Sequence, residues 1–142
     1  MTTTDVVENE LETALRTVLA NDATLAGLAT GGVWNGAAEQ GTDVPFVVFA
    51  PVDPGVHVYT FTRRAYTGYE YIVKGVTEGI ATLAAGQIDR RIDQLLHDAA
   101  LSVSPFGMLV CRRTRNVSYP EVDEGRTYRH RGGVYRLSVT GT

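Results

Sequence analysis

The sequence predicts an α+β domain: a mainly antiparallel sheet of about five strands with two helices packed on one face. Three observations lead there. Apolar residues recur at helical spacing in two segments, one near the N-terminus and one near the centre. Other segments alternate apolar with polar residues or run apolar over a strand's length, and short Gly/Pro/Asn/Asp stretches bound them. The order is helix, three strands, helix, two or three strands. Links this short join antiparallel neighbours and leave the helices to cover one face.

The first helix is expected from Asp5 to Ala20, where Val7, Leu11, Ala14, Leu15 and Val18 make one apolar stripe. Thr4 or Asp5 can cap it, with Glu8 in a box-like position, and its early glutamates suit the positive end of the helix dipole. Asn21-Asp22 breaks the helix, and Ala23 to Leu28 adds one further helical turn ending at Gly27 or at Gly31-Gly32. Val33-Trp34 begins a short extended piece, and the polar, Gly-rich stretch Asn35 to Asp43 is a loop.

Val44 to Val52 is a strand whose run Phe46–Phe49 suits burial on both faces; Pro51, Pro54 and Gly55 close it. Val56 to Arg64 is a hairpin arm. Tyr66 to Val76 is the clearest strand, with Tyr69, Tyr71 and Val73 alternating with Glu70, Ile72 and Lys74. A second helix is expected from about Ile80 to Ala100. Its apolar face is Leu83, Ile88, Ile92, Leu95 and Leu96, and Asp89 and Asp93 fall on a solvated face. Then come a turn at Ser104–Gly107, a strand from Met108 to Arg115, and a charged turn or loop from Pro120 to Gly125. Thr127 to Arg131 and Val134 to Thr140 pair last, with Gly132-Gly133 as a kink, bulge or turn.

The 142 residues favour one domain, 1–142. Its 44% hydrophobic and 20% charged residues are those of a globular chain able to build a core. The formal charge is −3, but it is polarised: one basic and eight acidic residues precede Phe61, whereas twelve basic and eight acidic residues follow from there on. Opposite halves suit head-to-tail contact with an oppositely charged surface, such as another copy, or reflect chance placement on a solvated surface. Cys111 is the single cysteine, so no internal disulfide is possible and a reducing compartment is expected. The acidic N-terminus lacks the apolar stretch of a secretory signal, and no apolar run reaches the ~20 residues of a membrane span.

No catalytic or cofactor constellation is legible. His57, His97 and His130 are far apart in sequence, and no second cysteine supports Cys111 as a metal ligand. Cys111 reads as a small core residue rather than an activated thiol, despite Arg112 and Arg113 beside it. The glycine clusters lack the lysine and the strand-loop-helix order of a phosphate loop. Hence no enzyme activity, metal or cofactor is expected. The one suggestive cluster is basic and aromatic: Arg112, Arg113, Arg115, Tyr119, Arg126, Tyr128, Arg129 and Arg131, with His130, Tyr135 and Arg136. Such a cluster serves a protein interface, an exposed strand face or, less well at a pI near 5.5, nucleic acid.

One stretch carries more. LANDATLAGLATGGVWNG, a polar loop, and then VPFVVFAPV place Asp22, Leu25, Ala26, Leu28, Gly31, Val33, Trp34, Gly36, Pro45, Phe46, Val47 and Val48 in a D-x-x-L-A-x-L, G-x-V-W-x-G, P-F-V-V pattern. With the tyrosine-rich strand and the central helix that follow, the chain resembles the tail-terminator, or tail-completion, proteins of long-tailed phages. The resemblance spans nearly the full length and rests on structural positions. It implies a virion protein of the tail neck, assembled in the host cytoplasm, whose copies form a hexameric ring on the head-proximal end of the tail tube. Such a ring ends tube polymerisation and docks the head connector or stopper, and DNA meets it only in passing through the lumen. Under that resemblance 52–59 and 116–126 would be reaching loops, and the eight arginine and tyrosine residues the interface with another subunit or partner.

Overall fold

The computed structural model describes residues 3–79 and 82–141. The chain runs α1 (Thr3–Ala20), α2 (Ala23–Leu28), β1 (Val33–Asn35), β2 (Phe46–Tyr59), β3 (Arg64–Glu78), α3 (Leu83–Leu96), β4 (Gly107–Asp123), β5 (Arg126–Thr140). It is an α+β fold. The five strands form one sheet in the order β1-β2-β3-β5-β4. All neighbours are antiparallel except β1, which pairs parallel with β2 through Val33↔Val47 to Asn35↔Phe49. Three helices are present where two were expected, because the turn after Asp22 is a helix in its own right.

One face of the sheet carries the core. Val47, Phe49, Tyr69, Tyr71, Val73, Cys111, Tyr135, Leu137 and Val139 all point to it. Val7, Leu11, Leu15, Leu19, Leu25, Ile88, Ile92 and Leu96 pack on them from the helices. The α1 and α3 stripes are therefore what fix those helices on the sheet. The caps considered at Thr4 and Asp5 lie outside the described side chains, and Ile80 outside the described residues. The expected apolar face of α3 needs correction: Leu83 is largely exposed, while Ala85 and Asp89 are buried.

Asp22 is the joint of the helical layer. Its carboxylate accepts a hydrogen bond from the Leu25 amide at 2.8 Å, capping α2, and receives the Arg91 guanidinium of α3 through two bonds of 2.8 and 2.7 Å. The Arg91 guanidinium holds this carboxyl well below the usual range, at about 2. Beyond α2, Gly31 N donates to Pro45 O (2.8 Å), Val47 N to Gly32 O (2.9 Å) and the Trp34 indole to Gly31 O (2.9 Å). A Cβ at Gly31 would run into the Asp43 and Pro45 carbonyls, so only glycine fits there.

Three segments expected to break continue as strand. β2 runs through Pro51, Pro54 and Gly55, with register shifts between Pro51 and Asp53 and between Asp53 and Val56. β1 covers only Val47–Phe49, so the rest of β2 is an open edge where a proline forfeits no ladder bond; the Asp53 carboxylate accepts from Gly55 N at 3.0 Å. Likewise β4 passes Pro120 as far as Asp123, and the turn narrows to Glu124-Gly125. Both have positive φ, 50° and 79°, as a two-residue hairpin turn requires. β5 passes through Gly132-Gly133 unbroken. These glycines are there for close approach: a Cβ at Gly132 would meet the β3 backbone at Val73 and Lys74, and one at Gly133 the Arg113 guanidinium. The reaching segments 52–59 and 116–126 are therefore mainly strand, not loop.

Candidate functional site

The eight arginine and tyrosine residues of β4 and β5 do not share one surface. The strand alternation, with two register shifts in β4, sends them to opposite faces. Arg113, Arg129 and Arg131 point to the helix side. Arg112, Arg115, Tyr119, Arg126 and Tyr128 point to the other. Arg112 pairs with Asp98 at 3.1 Å and Arg126 with Glu78 at 3.6 Å, both in solvent.

On the helix side Arg113 lies beneath α3, its side chain 13% exposed. Its Nη1 donates to Asp89 at 2.8 Å and lies 3.6 Å from Asp93, and Nη2 donates to the Gly132 carbonyl. Tyr135 donates its hydroxyl proton to Asp93 at 3.0 Å, and Arg131 Nε is 3.3 Å from the second Asp89 oxygen. Burial works against the charge on Arg113, yet Asp89 and its neighbours more than offset it and keep the guanidinium charged. The Tyr135 hydroxyl is pushed far up by burial and stays protonated. The solvated face expected for Asp89 and Asp93 is thus overturned for Asp89, which is buried, and not for Asp93. An arginine 24 residues away reaches under the helix and takes the Asp89 carboxylate out of solvent, while Asp93 stays partly exposed; no spacing within α3 could reveal this. A polar cavity of about 470 Å³ opens beside this network, lined also by Asn116 and Ser118.

The helix-free face carries a second cavity, of about 320 Å³, under the loop that joins β1 to β2. Its floor is apolar, made by Val44, Phe46, Val48 and Val76, and Glu121 and Asp123 edge it. One wall is a short polar chain. Lys74 Nζ donates to the Tyr119 hydroxyl at 2.5 Å, the Tyr119 ring stacks on His130 at 4.6 Å, and His130 Nε2 is 2.9 Å from Glu121. His130 is buried, and its Nδ1 has no hydrogen-bond partner. Burial lowers its pKa, Glu121 works the other way, and Lys74 adds to the lowering. A neutral ring that donates Nε2–H to Glu121 satisfies this geometry.

At the far end of β2 and β3 the turn presents Phe61 wholly to solvent, beside Tyr59 at 62% exposure. The sequence places Phe61 with Val58 and Tyr59 on a hairpin arm from Val56 to Arg64; β2 instead ends at Tyr59, and Phe61 lies in the turn. The polar residues that flank it in TFTRR suit a turn with no sheet to bury the ring. Cys111 is a core thiol, fully buried and pushed up to about 12 by burial, far from the thiolate chemistry of a nucleophile. Among the described residues no group of three or more His, Cys, Asp or Glu side chains could hold a metal ion. No helix of the described residues is long and apolar enough to cross a membrane.

No family model and no curated protein matches the chain. Its fold, however, is found in solved structures. A chain in the virion of a native gene transfer agent particle superposes with a TM-score of 0.79 at 20% identity, over 94% of this chain and 96% of that one. A second solved chain matches at a TM-score of 0.54 and 14% identity, over 95% and 96%. The chain is thus similar in fold, over nearly its whole length, to a component of a virion.

Proposed function

We propose that this chain is a structural virion protein of a phage-type particle. Its copies close into a ring on the head-proximal end of the tail tube, end tube polymerisation there and offer the head connector its docking surface. The observation that carries this reading is the near-full-length likeness in fold to a chain of a gene transfer agent virion. The segment from Asp22 to Val48 adds to it. Its resemblance to tail-terminator proteins falls on residues that have structural tasks here, namely the α2 cap and the Gly31–Pro45 and Gly32–Val47 bonds.

The other neck component to weigh, a head-closure or stopper protein, suits a closed barrel better than an open sheet with helices on one face. Nucleic-acid binding by the basic cluster is disfavoured because Arg112, Arg113, Arg126 and Arg131 are engaged with carboxylates of the same chain. In the proposed role the partners are further copies of the chain, the tube protein and the connector, and DNA passes only through the lumen.

The test is the mass of the particle in solution, alone and mixed with tube protein, with electron microscopy of the tubes. A six-fold ring seated on one tube end is expected. A protein that stays monomeric and leaves tube growth unchanged would sink the proposal.

A further inference from the structure

Two features at opposite ends of β2 and β3 are complementary in chemistry, an exposed ring near a cation in sequence and an apolar cavity with an acidic rim. At the β2–β3 turn Phe61 is fully exposed. The turn that carries it is well built: Thr60 N and Oγ1 both donate to the Arg63 carbonyl, at 2.8 and 3.1 Å, and the Arg64 guanidinium lies 5.7 Å from the Tyr59 ring centre. Arg63, in the same turn, is also exposed and has no carboxylate partner among the described residues. The opposite end of the same strands holds the cavity with the apolar floor and the Glu121 and Asp123 rim.

An apolar protein cavity of about 150 Å³ takes up benzene. At about 320 Å³, this one has room for a phenylalanine ring. Lys74 also lines the cavity and keeps its charge while donating to the Tyr119 hydroxyl, but the Glu121 and Asp123 carboxylates outnumber it and leave the rim net acidic. We propose that Phe61 of one copy seats in this cavity of the next, with its Arg63 against that copy's Asp123 and Glu121. The occupant is thus a second copy of this chain, argued from the opposite charges of Arg63 and the rim. The contact joins two different surfaces, so it repeats head to tail and closes into a ring when the rotation per step divides a full turn. The inference rests on the self-assembly reading above and assigns that assembly an anchor.

Sedimentation velocity over a wide concentration range tests it, with tube capping scored in parallel. Phe61→Ser is an exposed change that leaves the core intact, as circular dichroism can verify. It is expected to weaken association at least tenfold. Ala37→Trp, on the loop over the cavity, should do the same from the other side. Mixed together, these two variants retain one intact half-contact and should form a one-to-one pair and nothing larger. Arg63→Glu should weaken association, and the double change with Asp123→Arg should restore it. If the wild type assembles or caps tubes and Phe61→Ser does so equally well, the anchor is wrong and the assembly reading stands. A wild type that neither associates nor caps overturns both.

Discussion

Arg113 holds α3 on the sheet from beneath, because three groups of that helix layer and its strand neighbour converge on one guanidinium. Removing one partner of a buried ion pair costs ~3–5 kcal/mol, since the other charges stay where they are. Arg113→Met is therefore expected to lower unfolding stability by about 3 kcal/mol in urea titrations, and adding Asp89→Asn should recover part of it. A loss below about 1 kcal/mol would show the network to be incidental. His130 makes a prediction of opposite kind. Its folded pKa lies below the ordinary 6.5, so the unfolded chain takes up the proton first. Stability is then full above about pH 6.5 and falls as pH drops below it. His130→Phe should flatten this acid limb; an unchanged limb would mean another group controls it. Neither residue's role was legible in sequence. Arg113 and His130 were visible as members of a basic, aromatic cluster, but sidedness depends on the two register shifts of β4, which leave no local signature.

Helix breaks were read more reliably than prolines. Asp22 was marked as a break after α1 and proves to cap the next helix, because a short side-chain acceptor at that place satisfies a free amide. Pro51, Pro54 and Pro120 pointed to chain breaks because a proline cannot serve a central strand. All three lie in edge segments, where the missing donor costs nothing. The β4–β5 turn retains one local conflict. Glu124 occupies a positive-φ position, φ 50°, where asparagine or glycine is favoured. Glu124→Asn should raise stability by about 0.5 kcal/mol, read as a higher urea midpoint with an unchanged slope. A lower midpoint would mean that the glutamate side chain has a favourable contact there.

At the scale of the whole molecule, the α+β class and a core side for the sheet followed from periodicity alone. Val7, Leu11 and Leu15 of α1 and Tyr69, Tyr71 and Val73 of β3 are buried as their spacing demands. Strand order was beyond reach, since β5 inserts between β3 and β4 and only the α3 crossover makes that possible. The cavity on the helix-free face was hidden for the same reason: its lining comes from four strands and a loop distant in sequence. The same strand order leaves β4 at the rim of the sheet for all of Gly107–Asp123. Its seventeen residues pair with β5 on one side, and the largely open outer side would be a template for edge-to-edge pairing. Arg112 and Arg115, Pro120 and two register irregularities interrupt it, so a second β4 brought alongside would meet like charge, a missing donor and a broken ladder. Two copies of this chain are thereby steered away from fusing sheet to sheet along β4.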